Sequence, residues 1–440
     1  MDYTLLWGIR IGLLLVLVTP LIFSPSTAFP FVVGKAIWSR ILIEIVFGMW
    51  VILAVRRPEY RPASSWLVRL VGFFLLANLL AALFGVSFQR SFWSNFERMQ
   101  GVFDQAHWFL LLVVAISVVK GLRQWRAVFI WNLIIALFIG LLGLAQRHGV
   151  EIPLFSYLGQ ESRVFSTLGN ATFLGAYMMI ASLLAVGLLM DSFTSRERIG
   201  VKQAGSRRRR NDRIAQRGRL LNPWMFGLRS FFVVTAITST WVLSETGSRG
   251  AFIGLLVGVL ASCLMFALLN HPKPKYGPLE SWYVNQRIRI WALGGSICLI
   301  LMFVIAIVAR DTDPVRSLGR VNSLVERSLT GNLLGGSASE RIVGARIALQ
   351  AFGARPITGW GAENFSVPFH RYMRADDFVM PVEQLDQTHN RPLEVLSTTG
   401  ILGLMAYVAG WVWMGILVIR GRRNHAQSMT LHLVVAALLL

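Results

Sequence analysis

The side chains in this sequence best suited to handling a reactive anion are arginines set beside glycines and hydroxyls, and one histidine. Arg249 stands in the very short stretch Glu245-Thr-Gly-Ser248-Arg249-Gly250, between two apolar segments. An ionised group near a bilayer is costly, about 2.5–3.5 kcal/mol at mid-membrane on insertion scales, so it usually has a function or a partner. Gly247 and Gly250 permit close backbone approach, which favours a pocket over an arginine snorkelling to lipid phosphate. Arg163 precedes Ser166 and Gly169-Asn170, a turn and cap that open a helix. A helix N-terminus with an arginine beside it is a ready anion site, although a plain cap with a solvated arginine reads equally well. Arg98 lies in the stretch Arg90-Ser-Phe-Trp-Ser-Asn-Phe-Glu-Arg98-Met-Gln-Gly101.

Ser337 and Glu340 have the spacing of a capping box, which puts Arg341 in the first turn of a helix. That helix is expected to run to about Phe352, with Ile342, Ala345, Leu349 and Phe352 along one face resting on the membrane or the bundle. Gly353 and Pro356 stop it. His389 stands in Thr388-His389-Asn390-Arg391-Pro392-Leu-Glu394, just before another apolar stretch. An imidazole with its unperturbed pKa near 6.5 is mostly neutral at pH 7 and can accept a proton. Glu394 follows five residues on, at the start of the same helix. A structural histidine is the competing reading.

These residues need elements to hold them, and the composition says which. Of 440 residues 55% are hydrophobic and only 15% charged, with 15 Trp and 28 Phe. The apolar residues come in blocks of about twenty, the length that crosses a bilayer core of about 30 Å as a helix. Such blocks must satisfy every backbone polar group internally, which makes them helices. Spans are expected near 7–24, 37–55, 66–86, 102–119, 125–146, 171–190, 224–244, 250–270, 290–308 and 393–419, with an eleventh opening near 429. The chain stops at Leu440 inside an apolar run, from which at least one further span is expected. The first block is expected to be an uncleaved anchor, and Cys263 and Cys298 fall inside apolar blocks as small packing residues.

The net charge of +21 resolves into alternation. Loops after even-numbered spans hold Arg56, Arg57 and Arg61; Lys120, Arg123 and Arg126; ten basic residues between Arg196 and Arg219; Lys273, Lys275, Arg287 and Arg289; and Arg420, Arg422 and Arg423. The short loops after odd-numbered spans hold one or two each, and the long segment after the ninth, with about ten arginines, lies outside the counting rule. Basic loops stay in the cytoplasm, so the N-terminus is expected there and every residue singled out above faces outward. The run from Ser206 to Arg213 reads as a retention signal touching anionic lipid, and no nucleic-acid partner is expected.

The expected fold is an all-α polytopic bundle with about eleven visible spans. Spans one to nine occupy 1–308, a large extracytoplasmic loop with amphipathic helices 309–392, and spans ten and eleven 393–440. Asp376, Asp377, Glu383 and Asp386 in that loop match no metal-binding loop.

In order, Arg163…Ser166-Thr-Leu-Gly-Asn, Thr246-Gly-Ser-Arg249-Gly, Glu340-Arg341…Pro356-Ile-Thr-Gly359-Trp-Gly361…Phe365 and His389-Asn390…Leu393-Glu394…Gly400-Ile-Leu-Gly403 resemble the bacterial O-antigen ligase and polymerase superfamily, over about Arg90 to Gly410. The resemblance implies a metal-independent, cofactor-free glycosyltransferase of the bacterial inner membrane with an extracytoplasmic active site. Its donor would be an undecaprenyl-diphosphate-linked glycan, and its acceptor lipid A core, a growing polymer or a protein hydroxyl. It implies Arg249 and Arg163, with Arg341 and Arg98 behind, as diphosphate-binding groups. His389 would be the base, and Asn390, Glu394, Ser166 and Asn170 would support them. The resemblance implies further spans after the last one visible. A transporter or flippase of lipid-linked glycan is the reading from another class. Glu44, near the middle of the second span, is the carboxylate such a protein could use, against a buried hydrogen-bonded packing role.

Overall fold

The computed structural model describes residues 2–62, 64–152, 155, 159, 163–203, 223–269, 337–375, 377 and 385–423. The expected ninth and eleventh spans, most of the polybasic loop, Glu161, Asp376 and Glu383 lie outside the described residues.

Every regular element among the described residues is helical. In chain order these are α1 (Asp2–Leu17), α2 (Val33–Arg56), α3 (Trp66–Phe84), α4 (Phe88–Trp93), α5 (Val102–Val118), α6 (Gly121–Arg147), α7 (Ala171–Gln203), α8 (Pro223–Glu245), α9 (Arg249–Leu269), α10 (Ser337–Ala354), α11 (Ser366–Tyr372) and α12 (Arg391–Arg423). Six of them, α2, α3, α6, α7, α8 and α12, contain a stretch long and apolar enough to cross a membrane, and α5 and α9 carry shorter apolar stretches. The all-α class and the multi-span character expected from composition are therefore present.

Two boundaries differ from expectation for local reasons. The first helix stops at Leu17 because Pro20 lacks an amide proton and starts a 3₁₀ turn over Thr19–Leu21. The stretch between α3 and α5 contains a short helix, α4, whose first turn is capped by the Ser87 hydroxyl accepting from the Arg90 amide at 3.3 Å.

The chain divides into two compact units, residues 1–131 with 331–417, and 132–330 with 418–440. In the first, Leu6 and Ile9 of α1 pack with Val46, Trp50 and Leu53 of α2 and with Val113, Val114 and Val118 of α5. The opposite side of α2 exposes Ile37, Ile41, Ile45 and Ile52, at intervals of four, four and seven residues. A helix apolar all round has lipid as its second partner. In the second unit α7 packs along α8, with the Ser182 and Thr240 hydroxyls hydrogen-bonded at 2.8 Å. Gly175 on α7 faces Ser248 and Ala251 so closely that an added Cβ would lie 2.9 and 3.2 Å from theirs. Small residues at such crossings let helices meet without a hydrophobic driving force.

The α10 helix begins at Ser337 as expected, but its core face is a different one. Val343, Ile347 and Ala348 are buried against Phe365, Phe369 and Leu385. Ile342 and Leu349 are exposed, so the face read from the sequence points away from this cluster.

Candidate functional site

In the first unit the site is built around a broken helix. Within α12, Gly400 has φ 65° and ψ −162°, which interrupts the i to i−4 ladder. The carbonyls and the amide this frees are taken by a segment about forty residues earlier. Trp360 N donates to Ser397 O at 3.1 Å, Gly361 N to Thr398 O at 2.8 Å, and Ile401 N to Pro356 O at 2.8 Å. Non-helical backbone at membrane depth needs such internal satisfaction. Gly359 and Gly361 have positive φ. A Cβ on Gly359 would enter the Thr398 backbone, and one on Gly400 would enter that of Ile357.

The same segment is strapped to the end of α3 and to α4. Val86 N donates to Trp360 O at 3.0 Å, Ser91 Oγ to Ala362 O at 2.7 Å, and Arg90 Nε to Glu363 O at 2.8 Å. The Asn364 side-chain amide donates to Ser91 Oγ at 2.9 Å from a fully buried position.

The His389 loop rests on this frame. Arg98 grips Asp386 with both prongs, Nε to Oδ2 at 2.6 Å and Nη2 to Oδ1 at 2.7 Å, and Nη1 donates to Gln387 at 3.3 Å. Two residues on from Asp386, the Thr388 amide donates to buried Glu394 at 2.7 Å. The Thr388 hydroxyl donates to Asn390 O at 2.8 Å. Asn390 caps α12, its Oδ1 accepting from Leu393 N at 3.3 Å and its O from Glu394 N at 2.8 Å. Between these fixed neighbours His389 itself is exposed, with φ 52°. A positive φ is uncommon outside glycine, though histidine tolerates it better than most. The loop thus holds an imidazole outward at a defined place.

Glu363 extends the charge network. Its Oε2 accepts from Ser94 Oγ at 3.2 Å, and Arg98, Arg391 and Asp386 all act on it electrostatically. Burial pushes its carboxyl above the usual range despite the arginines. Arg98 is raised above its ordinary value. Burial works against its charge, but the Asp386 hydrogen bond and the surrounding carboxylates outweigh that.

Arg341 is exposed in the first turn of α10. Of the four loop carboxylates noted in the sequence, the two described ones pair with arginines, Asp386 with Arg98 and Asp377 with Arg346.

In the second unit Arg163, Ser166, Asn170 and Arg249 gather at the ends of α6 to α9. Arg163 Nε donates to Thr246 O at 3.1 Å and Val164 N to Glu245 O at 3.3 Å, so the Arg163 segment lies across the α8–α9 turn. The buried Gln146 side chain accepts from the amides of Phe165 and Ser166 at 3.1 and 2.9 Å. Ser166 is itself fully buried and donates to Ile139 O at 2.9 Å, a structural bond. Arg147 pairs with buried Glu245 at 3.0 Å. Gly247, with φ 61°, ends α8, and Ser248 O accepts from Phe252 N as α9 begins. Arg249 therefore occupies the first turn of α9, where helix amides favour an anion. Asn170 caps α7 by accepting from Thr172 N at 2.7 Å.

Several groups were not singled out from the sequence. Asp386, Glu363 and Gln146 work through non-local contacts that spacing does not encode. Glu44 is hydrogen-bonded, as its packing role required, with Oε1 2.9 Å from Nε2 of buried His107, but its side chain is 59% exposed and so not buried.

Comparison with known proteins fits this arrangement. Residues 234–408 match the family model described as O-antigen ligase, a stretch that includes Arg249, Arg341, the glycine-rich break partner and His389. No curated protein matches the chain. Residues 234–408 are thus similar to the O-antigen ligase family, in a chain with six helices among the described residues long and apolar enough to span a membrane.

Proposed function

We propose that this protein is a glycosyltransferase that moves a glycan from undecaprenyl diphosphate to an acceptor hydroxyl, on the extracytoplasmic face of the bacterial inner membrane. The observation that carries the reading is the O-antigen ligase domain itself, which includes both Arg249 in the first turn of α9 and the outward-held His389. Basic residues concentrated in alternate loops support the orientation.

In the proposed step the bond from the anomeric carbon to the diphosphate oxygen breaks, and the acceptor oxygen bonds to that carbon from the opposite side. The acceptor proton passes to His389, and the electron pair leaves with undecaprenyl diphosphate. Guanidinium forks match phosphate oxygens, and fixed positive charge aimed at a developing anion is a large catalytic term. Arg249 and Arg163 take that role, with Arg341 contributing. Arg98 already holds Asp386, which suits it to positioning the His389 loop. Asn390 and Glu394 fix the loop ends, and Ser166 and Asn170 shape the Arg163 turn.

Purified protein in nanodiscs, given undecaprenyl-diphosphate glycan and candidate acceptors, tests the reading. New glycosidic bonds with inverted anomeric configuration are expected, on lipid A core, on polymer or on protein. Label crossing the bilayer without new bonds would replace the enzyme with a flippase, and a product retaining configuration would overturn direct displacement.

A further inference from the structure

The roles above leave one cavity of the first unit unused. It encloses about 500 Å³ and is lined by Arg40 of α2, Arg90 and Trp93 of α4, and Ser94, Asn95 and Phe96 of the following turn. That size is within the usual range of small-molecule sites, about 300–1,000 Å³. Arg40 is committed: Nε donates to Asp104 at 3.1 Å and Nη2 to Met99 O at 2.5 Å, so Asp104 offsets its charge. Arg90 is not. Its Nε donates to the Glu363 carbonyl at 2.8 Å, and its two Nη groups have no hydrogen bond among the described residues. Among the described residues no carboxylate lines the cavity.

Two aromatic side chains at the wall are exposed, Trp93 by 51% although its ring also packs on Phe92 and Phe103, and Phe96 by 75%, with no other ring against it among the described residues. Aromatic faces left open beside hydroxyl and amide side chains suit a ligand with an apolar face and a polar edge, as a pyranose ring has. A guanidinium with two free N–H groups adds a place for a phosphate or carboxylate.

We propose that this cavity binds an anionic saccharide, its phosphate or carboxylate on the free edge of Arg90 and its sugar ring against Trp93 or Phe96. As an acceptor subsite it rests on the transfer reaction proposed above, whereas the binding can be measured without that reaction.

The test uses the full chain in nanodiscs with Cys263→Ala, Cys298→Ala and Gln89→Cys. Gln89 lines the cavity, and its side chain has no bond among the described residues. The rate of maleimide labelling at position 89 is followed with glucose 6-phosphate, glucuronate, glucose or inorganic phosphate. At ten times its Kd a bound ligand should slow labelling about tenfold by mass action. Glucose 6-phosphate or glucuronate is expected to protect, and which of the two protects better identifies the anion. Glucose and inorganic phosphate should protect far less. Arg90→Gln should remove the protection and Arg90→Lys should keep part of it. Phe96→Ser, which leaves the Arg90–Glu363 bond in place, should weaken it.

Equal protection by inorganic phosphate, protection that survives both Arg90→Gln and Phe96→Ser, or no protection at all would overturn the proposal. So would slow labelling produced by phosphatidylglycerol in the nanodisc without sugar, which would assign the cavity to a lipid headgroup. Protection in a protein that transfers no glycan would keep the cavity's ligand and defeat the enzyme reading alone.

Discussion

Arg98 and Asp386 meet prong to prong, with Nε and Nη2 of the guanidinium on the two carboxylate oxygens at 2.6 and 2.7 Å. Side chains at both ends are about one quarter exposed, so the pair is sheltered from water without being sealed from it. Its position three residues before His389 makes it a hinge pin for the loop that carries the proposed base. Bidentate geometry restricts rotation as well as distance, which a lysine cannot do.

Replacing Arg98 by Lys should therefore leave the helices in place and loosen the loop. A misplacement of about 1 Å can cost on the order of 10²-fold in rate, so kcat should fall by about that factor with KM little changed. Asp386→Asn should behave alike, and the double variant should be little worse than either single one. Steady-state transfer assays on the three proteins check this. A fall confined to KM would mean that Arg98 binds donor directly.

His389 should give the larger loss. A positioned base contributes about 10² to 10⁴ in rate, so His389→Gln should lose that much kcat while still binding donor. Donor binding measured separately from turnover distinguishes this from misfolding.

Glu363 makes a pH prediction whose sign is opposite to that of a salt-bridged carboxylate. Burial, first among its influences, raises its carboxyl above the ordinary range in the folded protein. Folding is then favoured by the protonated form. The stability this supplies is fully present below the unfolded value, and is lost as pH rises through the higher folded value. Thermal unfolding of the native protein should show that decline, and Glu363→Gln should flatten it by remaining neutral. A decline unchanged in the variant would assign the pH dependence elsewhere.

How much of this was legible beforehand depended on range. Apolar blocks of span length and Asn170 as a cap are local signals, and each acts locally in the structure, whereas Pro20 lay inside the expected first span and ends α1 before it. Gly400 was visible as a glycine of the tenth span, but glycines are common in membrane helices. That it breaks α12 is decided by Trp360 and Gly361, about forty residues away, whose amides accept the task of satisfying Ser397 and Thr398. The α10 helix is apolar on two sides, and only Phe365 and Phe369 decide which of them is buried in the protein. Asp386 matches no metal-binding loop in the sequence, and spacing says nothing of Arg98 lying opposite it.

The break itself predicts a sharp contrast among glycines. Gly359→Ala and Gly400→Ala each put a Cβ into backbone at positive φ, strain of about 1–3 kcal/mol before any steric clash is counted. Both should lose most folded protein on detergent gel filtration. Gly410→Ala, where an added Cβ meets nothing within 4 Å, should be neutral or stabilising by up to about 1 kcal/mol. If all three behave alike, the interrupted helix plays no part in stability.

Whether Arg249 and His389 serve one displacement is decided by their combined loss. Removing one donor that stabilises a developing anion costs about 10² to 10³ in kcat, so Arg249→Gln should fall in that range. Groups that act as a unit are grossly non-additive, since once one is missing the other has less of a transition state to act on. Arg249→Gln with His389→Gln should then lie within about tenfold of the worse single variant. Arg341→Gln, with its exposed side chain in the first turn of α10, should add a smaller loss. Single-turnover assays at saturating donor measure all of these without a contribution from product release. Losses that multiply through would mean that the arginine and the imidazole work in separate steps, with Arg249 in donor capture and His389 in acceptor activation.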